Sequence, residues 1–212
     1  MNIPKFSWAR FEAVPLVGIL RSLPPGLVRQ LVPVYLESGL TTLEITMNTP
    51  GAGEMIGDTL KRFGDSLNVG AGTVCTLSDL EVALAAGAQF IVTPVLHPPV
   101  IEACRERGIP VFPGAFTPTE IYQAWGLGAS MVKVFPAATL GPDYLRQVKA
   151  PLDQVRLLPT GGITLDNLGA FRKAGAAGVG VGSPLFRNDL IRAGDWAGLR
   201  AHFESFVKAL AL

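Results

Sequence analysis

Short apolar runs alternate with longer amphipathic stretches along the whole chain. Eight of the runs predict strands: VPLVGILR (14 to 21), TTLEITMN (41 to 48), LNVGAGTV (67 to 74), AQFIVTPV (88 to 95), IPVFPGAF (109 to 116), SMVKVFPA (130 to 137), VRLLPTGG (155 to 162) and GVGVGSPL (178 to 185). Most are apolar on both faces, as in parallel sheets that helices cover on both sides or that close on themselves. Between them, segments such as LVRQLVPVYLESG, LSDLEVALAAG, PPVIEACRERG, PTEIYQAWGLG and LDNLGAFRKAG repeat apolar residues at helical spacing, with Gly as the stop. Eight such units, roughly 20 to 27 residues apart, predict an α/β fold of the (β/α)8 TIM-barrel type. An open doubly wound sheet would place Gly-x-Gly-x-x-Gly after the first strand, where this chain has GILRSLPPG. No linker, low-complexity tract or charge block marks a second domain. Residues 1 to 212 are therefore expected to form a single barrel domain with a short N-terminal helical segment, and WAGLRAHFESFVKALAL reads as the closing amphipathic helix.

Composition narrows the function classes. With 49% hydrophobic and 17% charged residues, 212 residues suffice for one well-filled core. The 18 basic and 17 acidic side chains leave a formal net charge of +1, so no global field draws the chain to nucleic acid or an acidic membrane. An anionic ligand must be held locally. Mean hydropathy is high at +0.36, yet Gly, Pro or a charge interrupts every apolar run before it approaches a membrane span. The segment MNIPKFSWARFEAVP lacks a secretory pattern, and a cytoplasmic location is expected. Cys75 and Cys104 show no CxxC spacing and are expected to be buried, inert thiols.

In a barrel, functional groups gather at the C-terminal strand ends. Alternation along TTLEITMN puts Glu44, Thr46 and Asn48 on one face and Leu43, Ile45 and Met47 on the other. The apolar set suits the helix layer, so Glu44 is expected to point inward. The same alternation in SMVKVFPA turns Lys133 inward with Met131 and Phe135, away from Val132 and Val134. The second and sixth of eight strands face each other across a ring, which sets Glu44 opposite Lys133.

Two readings of that pair remain open. It is either a buried ion pair, a weak source of stability, or a catalytic pair. In the second case desolvation lowers the lysine pKa, giving an amine that attacks a ketone to form a Schiff base, while the carboxylate moves protons.

The glycines of PTGGIT and VGSPLF end the last two predicted strands, the usual place of a barrel phosphate site. Gly161, Gly162, Gly182 and Ser183 are candidate phosphate contacts, or else they only permit tight turns. Arg21, directly after the first strand, can hold a carboxylate bidentately or be a solvated first-turn residue. Thr73 can donate a hydroxyl to the same anion or be an ordinary strand end. His97 and His202 are far apart in sequence, so no histidine metal site is expected, and no cofactor is called for.

GLTTLEITMNTP, VGAGTV, AGAQFIVTP, IPVFPGAFTPTE, VKVFPA, LPTGGIT and GVGVGS, in this order, resemble the 2-keto-3-deoxy-6-phosphogluconate (KDPG) and 4-hydroxy-2-oxoglutarate (KHG) aldolase family, which includes 6-phosphogalactonate relatives. The resemblance implies a metal-free class I aldolase that releases pyruvate and glyceraldehyde 3-phosphate from KDPG, in Entner-Doudoroff carbohydrate metabolism. It implies Lys133 as the Schiff-base lysine, Glu44 as the acid/base, Thr73 as a carboxylate ligand, Gly161, Gly162 and Ser183 in the phosphate site, and Pro94 and Phe135 walling the pyruvyl pocket. It also implies a homotrimer, with a phosphorylated keto acid as the only other partner. Asn48 stands where the gluconate type carries an arginine, and Arg21 is the cation available instead. That pairing resembles the galactonate type, whereas LPTGGIT resembles the gluconate type. Outside this family, a silent phosphosugar-binding barrel and a phosphosugar isomerase or epimerase are the alternatives; the latter needs acid/base pairs on other strands, which are missing here.

Overall fold

The computed structural model describes residues 5 to 211. From the N-terminus the elements are α1 (Trp8–Ala13), β1 (Leu16–Leu20), α2 (Pro25–Glu37), β2 (Thr42–Thr46), α3 (Ala52–Phe63), β3 (Asn68–Gly72), α4 (Leu77–Ala85), β4 (Ile91–Val92) and α5 (Pro98–Glu106). There follow β5 (Val111–Phe112), β6 (Gly114–Ala115), α6 (Pro118–Gly126), β7 (Val132–Val134), α7 (Ala137–Lys149), β8 (Leu157–Pro159), α8 (Leu165–Lys173), β9 (Val179–Val181), α9 (Asn188–Ala193) and α10 (Trp196–Leu210).

Every strand pair is parallel. The strands form one sheet in the order β5-β4-β3-β2-β1-β9 and another in the order β6-β7-β8. The result is an α/β fold around a curled parallel sheet, rather than the single uninterrupted ring that the strand count predicts. One break falls at Pro113, which separates β5 from β6: proline has no N–H to give to a ladder. At the other junction a lone bridge, Thr160 to Gly180, links the end of β8 to β9.

Alternation sorts the apolar residues into two cores. Leu16, Leu20, Leu43, Ile45, Val132 and Val134 pack with the helices, while Val17, Ile19, Phe90, Val92, Phe112, Met131 and Leu158 fill the inside of the curl. Phe6 and Phe11 join the inner cluster from the N-terminal segment.

Two glycines on β3 make room inside. A Cβ on Gly70 would lie 2.5 Å from the Phe90 ring, and one on Gly72 would lie 1.6 Å from Glu44 Oε1. Two helix starts carry reciprocal caps. The Thr76 and Thr117 side chains accept from the N–H groups of Asp79 and Glu120, and those carboxylates accept in return. Helix α7 is broken at Gly141, which has φ 75°, just before Pro142. Among the described residues no helix is long and apolar enough to cross a membrane.

Candidate active site

Lys133 is the middle residue of the three-residue β7 and is 5% exposed. Its inward direction follows from the alternation: Val132 and Val134 lie in the helix-facing core, and Met131 lies in the inner one. Its Nζ sits 5.1 Å from the centre of the Phe135 ring. No carboxylate of the described residues stands within ion-pair distance of it. Burial pushes the ammonium below the usual lysine range; Glu44 pulls it back up, and Arg21 lowers it further.

Glu44, on β2, is 1% exposed, and its Oε1 is buried without a hydrogen-bond partner. Burial raises its pKa above the ordinary carboxylate value, with Lys133 and then Arg21 acting in the opposite direction. Both members of the pair are thus pushed toward their neutral forms, and they are not joined as an ion pair.

A cavity of about 370 Å³ opens at the C-terminal strand ends and is lined by Lys133 and Phe135. Its rim includes Arg21 and Ser22 after β1, Gly161 and Gly162 after β8, and Gly182 and Ser183 after β9. The candidate nucleophile, an arginine and the glycine turns therefore share one chamber. Gly161 and Gly162 have φ of 90° and 73°, in the left-handed region that glycine tolerates. A Cβ at Gly162 would lie 2.4 Å from the Ala138 side chain. Arg21 is exposed and makes no hydrogen bond or ion pair with the described residues, so its guanidinium is open to an anion.

Four expected residues, Glu44, Thr73, Pro94 and Asn48, lie off the lining of this cavity. Thr73, half-buried just beyond β3, has φ 56°, an outlier for a β-branched residue; such strain costs roughly 1 to 3 kcal/mol and concentrates at functional sites. Pro94 follows β4, with its carbonyl against Gly114: a Cβ there would come within 2.2 Å of the Pro94 oxygen.

The inward placement expected of Asn48 is corrected. β2 stops at Thr46, so the two-residue alternation does not reach Asn48, which is exposed in the following turn and lines a shallow groove with Pro50, Gly51 and Val82. The cysteines also differ from expectation. Cys104 is buried, its thiol pushed up to about 12 by burial, but Cys75 is exposed. His97 caps α5, its Nδ1 accepting from the Val100 N–H at 3.4 Å.

Sequence reasoning did not single out Thr160 or Ser22 as site residues. Thr160 lines the cavity, is 3% exposed and donates to the Leu158 carbonyl at 3.2 Å. It stands two positions from the inward Leu158, a signal that alternation along VRLLPT contains. Ser22 gives no such signal, because its φ of 56° is a property of the folded loop.

Comparison with known proteins adds four findings. The family model for KDPG and KHG aldolase matches residues 9–202. The 2-dehydro-3-deoxy-6-phosphogalactonate aldolase of Escherichia coli K12 is 35% identical over 82% of this chain and 85% of its own length. Among solved structures, a native KDPGal structure superposes with a TM-score of 0.86 at 34% identity, covering 92% of this chain and 94% of that one. KDPG aldolase from Legionella pneumophila, with pyruvate captured at low pH as a covalent carbinolamine intermediate, superposes with a TM-score of 0.84 at 28% identity, covering 93% and 96%.

Proposed function

The chain belongs to the KDPG and KHG aldolase family and is a class I aldolase, and on that premise we propose that it cleaves a 2-keto-3-deoxy-6-phospho sugar acid to pyruvate and glyceraldehyde 3-phosphate, with Lys133 as the nucleophile. Neutral Lys133 Nζ adds its lone pair to the C2 carbonyl carbon, and the oxygen takes a proton to give a carbinolamine. Loss of water leaves an iminium. Glu44 then removes the C4 hydroxyl proton, the C3–C4 bond breaks, and its electron pair flows into the iminium to form an enamine while C4 becomes the aldehyde carbon. Protonation at C3 and hydrolysis release pyruvate and the free amine.

Arg21 and Thr73 hold the substrate carboxylate, Pro94 and Phe135 wall the pyruvyl group, and Gly161, Gly162, Gly182 and Ser183 hold the phosphate. In the same reading β5 and β6 are one strand bent at Pro113, and the Thr160 to Gly180 bridge joins the sheets, so that residues 1 to 212 form a single (β/α)8 domain that assembles as a homotrimer.

The observation that carries this reading is Lys133 itself, buried without an ion-pair partner among the described residues and opening into the cavity that also contains the glycine turns. Borohydride reduction in the presence of pyruvate is expected to leave a stable adduct on the Lys133 peptide, seen by mass spectrometry, and Lys133→Ala is expected to lose both adduct and turnover. An unmodified Lys133 peptide sinks the assignment.

The gluconate epimer is the leading substrate. The galactonate epimer is a second reading, favoured by the position of Arg21 in the cavity and of Asn48 outside it. Pyruvate release measured side by side from the two epimers and from 4-hydroxy-2-oxoglutarate decides between them and tests whether phosphate is required.

A further inference from the structure

β1 ends at Leu20, so Arg21 lies past the strand, and its side chain has no partner among the described residues to hold it. Immediately after it, Ser22 takes a left-handed φ of 56°, which a residue with a Cβ keeps only where its surroundings impose it. The surroundings here come from the turn after β2. The Ser22 N–H donates to Thr49 Oγ1 at 3.0 Å, and Thr49 Oγ1 is itself 3.0 Å from Thr46 Oγ1 in a hydroxyl-hydroxyl hydrogen bond. The Thr49 N–H donates to the Thr46 carbonyl at 2.9 Å, which fixes the turn. Thr46 and Thr49 are buried and do not line the cavity.

The N–H of Ser22 belongs to the same planar peptide group as the carbonyl of Arg21. Anchoring it fixes ψ of Arg21, and with it the backbone frame from which the guanidinium reaches into the cavity. Thr46, the last residue of β2, stands two positions beyond Glu44. The strand that carries the candidate proton-transfer group therefore ends in Thr46, the residue that orients the anchor of the candidate carboxylate ligand.

We propose that Thr49 is a positioning residue. Its hydroxyl, oriented by Thr46, holds the Arg21–Ser22 peptide so that Arg21 meets the substrate carboxylate at a set distance from Glu44. The proposal rests on the reading of Arg21 as a carboxylate ligand.

The test uses pyruvate and borohydride trapping, reading separately the half-saturating pyruvate concentration and the limiting trapping rate. Thr49→Val keeps the side-chain shape and removes the acceptor. It is expected to raise the half-saturating concentration about three- to tenfold and leave the limiting rate within about twofold, as for a contact made equally in ground and transition states. Thr49→Ser keeps the oxygen and is expected to restore the original value. In an Arg21→Ala background, Thr49→Val is expected to add no further loss, because both changes act through one guanidinium.

An unchanged half-saturating concentration in Thr49→Val, or a full additional loss in the Arg21→Ala background, overturns the tether. An unchanged value in Arg21→Ala removes the carboxylate assignment itself and the tether with it. Should Thr49→Val fail a thermal-melt check of folding, Thr46→Val, which strips the partner hydroxyl and leaves the Thr49 oxygen free to rotate, is expected to show the same split at smaller size. No split in that variant also overturns the proposal.

Discussion

At the scale of single residues, the site is built on two charges taken out of water. Desolvation is the larger influence on both Lys133 and Glu44, and it moves each toward its neutral form. A neutral amine is the species that attacks a carbonyl, and a carboxyl group with a raised pKa exchanges protons closer to neutrality. The charges around Lys133 then act with opposite signs. Glu44 favours the ammonium and Arg21 disfavours it. Glu44→Gln removes the anion, so the Lys133 pKa falls further and the rising limb of the trapping rate against pH is expected to move to lower pH. Arg21→Met removes a cation, and the limb is expected to move to higher pH. Measured at saturating pyruvate, the position of the limb is the readout, not its height. Shifts in the same direction, or none, would show that these groups do not set the lysine's charge. Glu44 can lie where it does because β3 offers a glycine: a Cβ on Gly72 would occupy the position of Oε1.

At the scale of elements, the period-two pattern was enough to turn Lys133 and Glu44 inward, because strand side chains alternate whatever they pack against. Where strands stop was less legible. Alternation carried through TTLEITMN to Asn48, but β2 ends at Thr46: the Met47 N–H still donates to the Gly72 carbonyl on β3, and then the chain turns, with the Thr49 N–H donating back to the Thr46 carbonyl. IPVFPGAF was legible as one strand, yet it is divided at Pro113. The turn between β8 and α8 was readable from its paired glycines, since both adopt positive φ. Gly162→Ala forces a Cβ against Ala138 in a backbone conformation that alanine resists, and it is expected to shift the N–H groups proposed to hold the phosphate. KM for the phosphorylated substrate should rise about tenfold or more, while turnover of phosphate-free 4-hydroxy-2-oxoglutarate stays within about twofold. Equal losses on both substrates would mean that the turn serves the fold and not the phosphate.

At the scale of the whole molecule, the two ends of the curled sheet are unlike. The C-terminal strand ends frame the cavity, and the N-terminal ends are filled by aromatic rings. Phe6 packs on Trp8 with centroids 4.8 Å apart and on Phe90 at 5.3 Å, and Phe90 stacks on Phe112 at 5.3 Å. Phe11 lies fully buried beneath Gly178, where a Cβ would come within 2.6 Å of its ring. Phe11→Ala is expected to lower stability by about 3 to 5 kcal/mol, read from urea unfolding, with the half-saturating pyruvate concentration unchanged. A rise in that concentration would show that the aromatic end communicates with the site.

The amino-acid sequence by itself determined the succession of strands and helices, the two faces of each strand and the inward direction of Lys133 and Glu44. Periodicity is local: it needs only neighbours along the chain and the preference of apolar groups for the core. Tertiary structure alone decided that Arg21, Lys133 and the glycine turns share one cavity, that Glu44 Oε1 is buried with no hydrogen-bond partner among the described residues, and that Ser22 leans on Thr49. Those outcomes depend on contacts between residues far apart in the chain, and on how completely water is excluded where they meet.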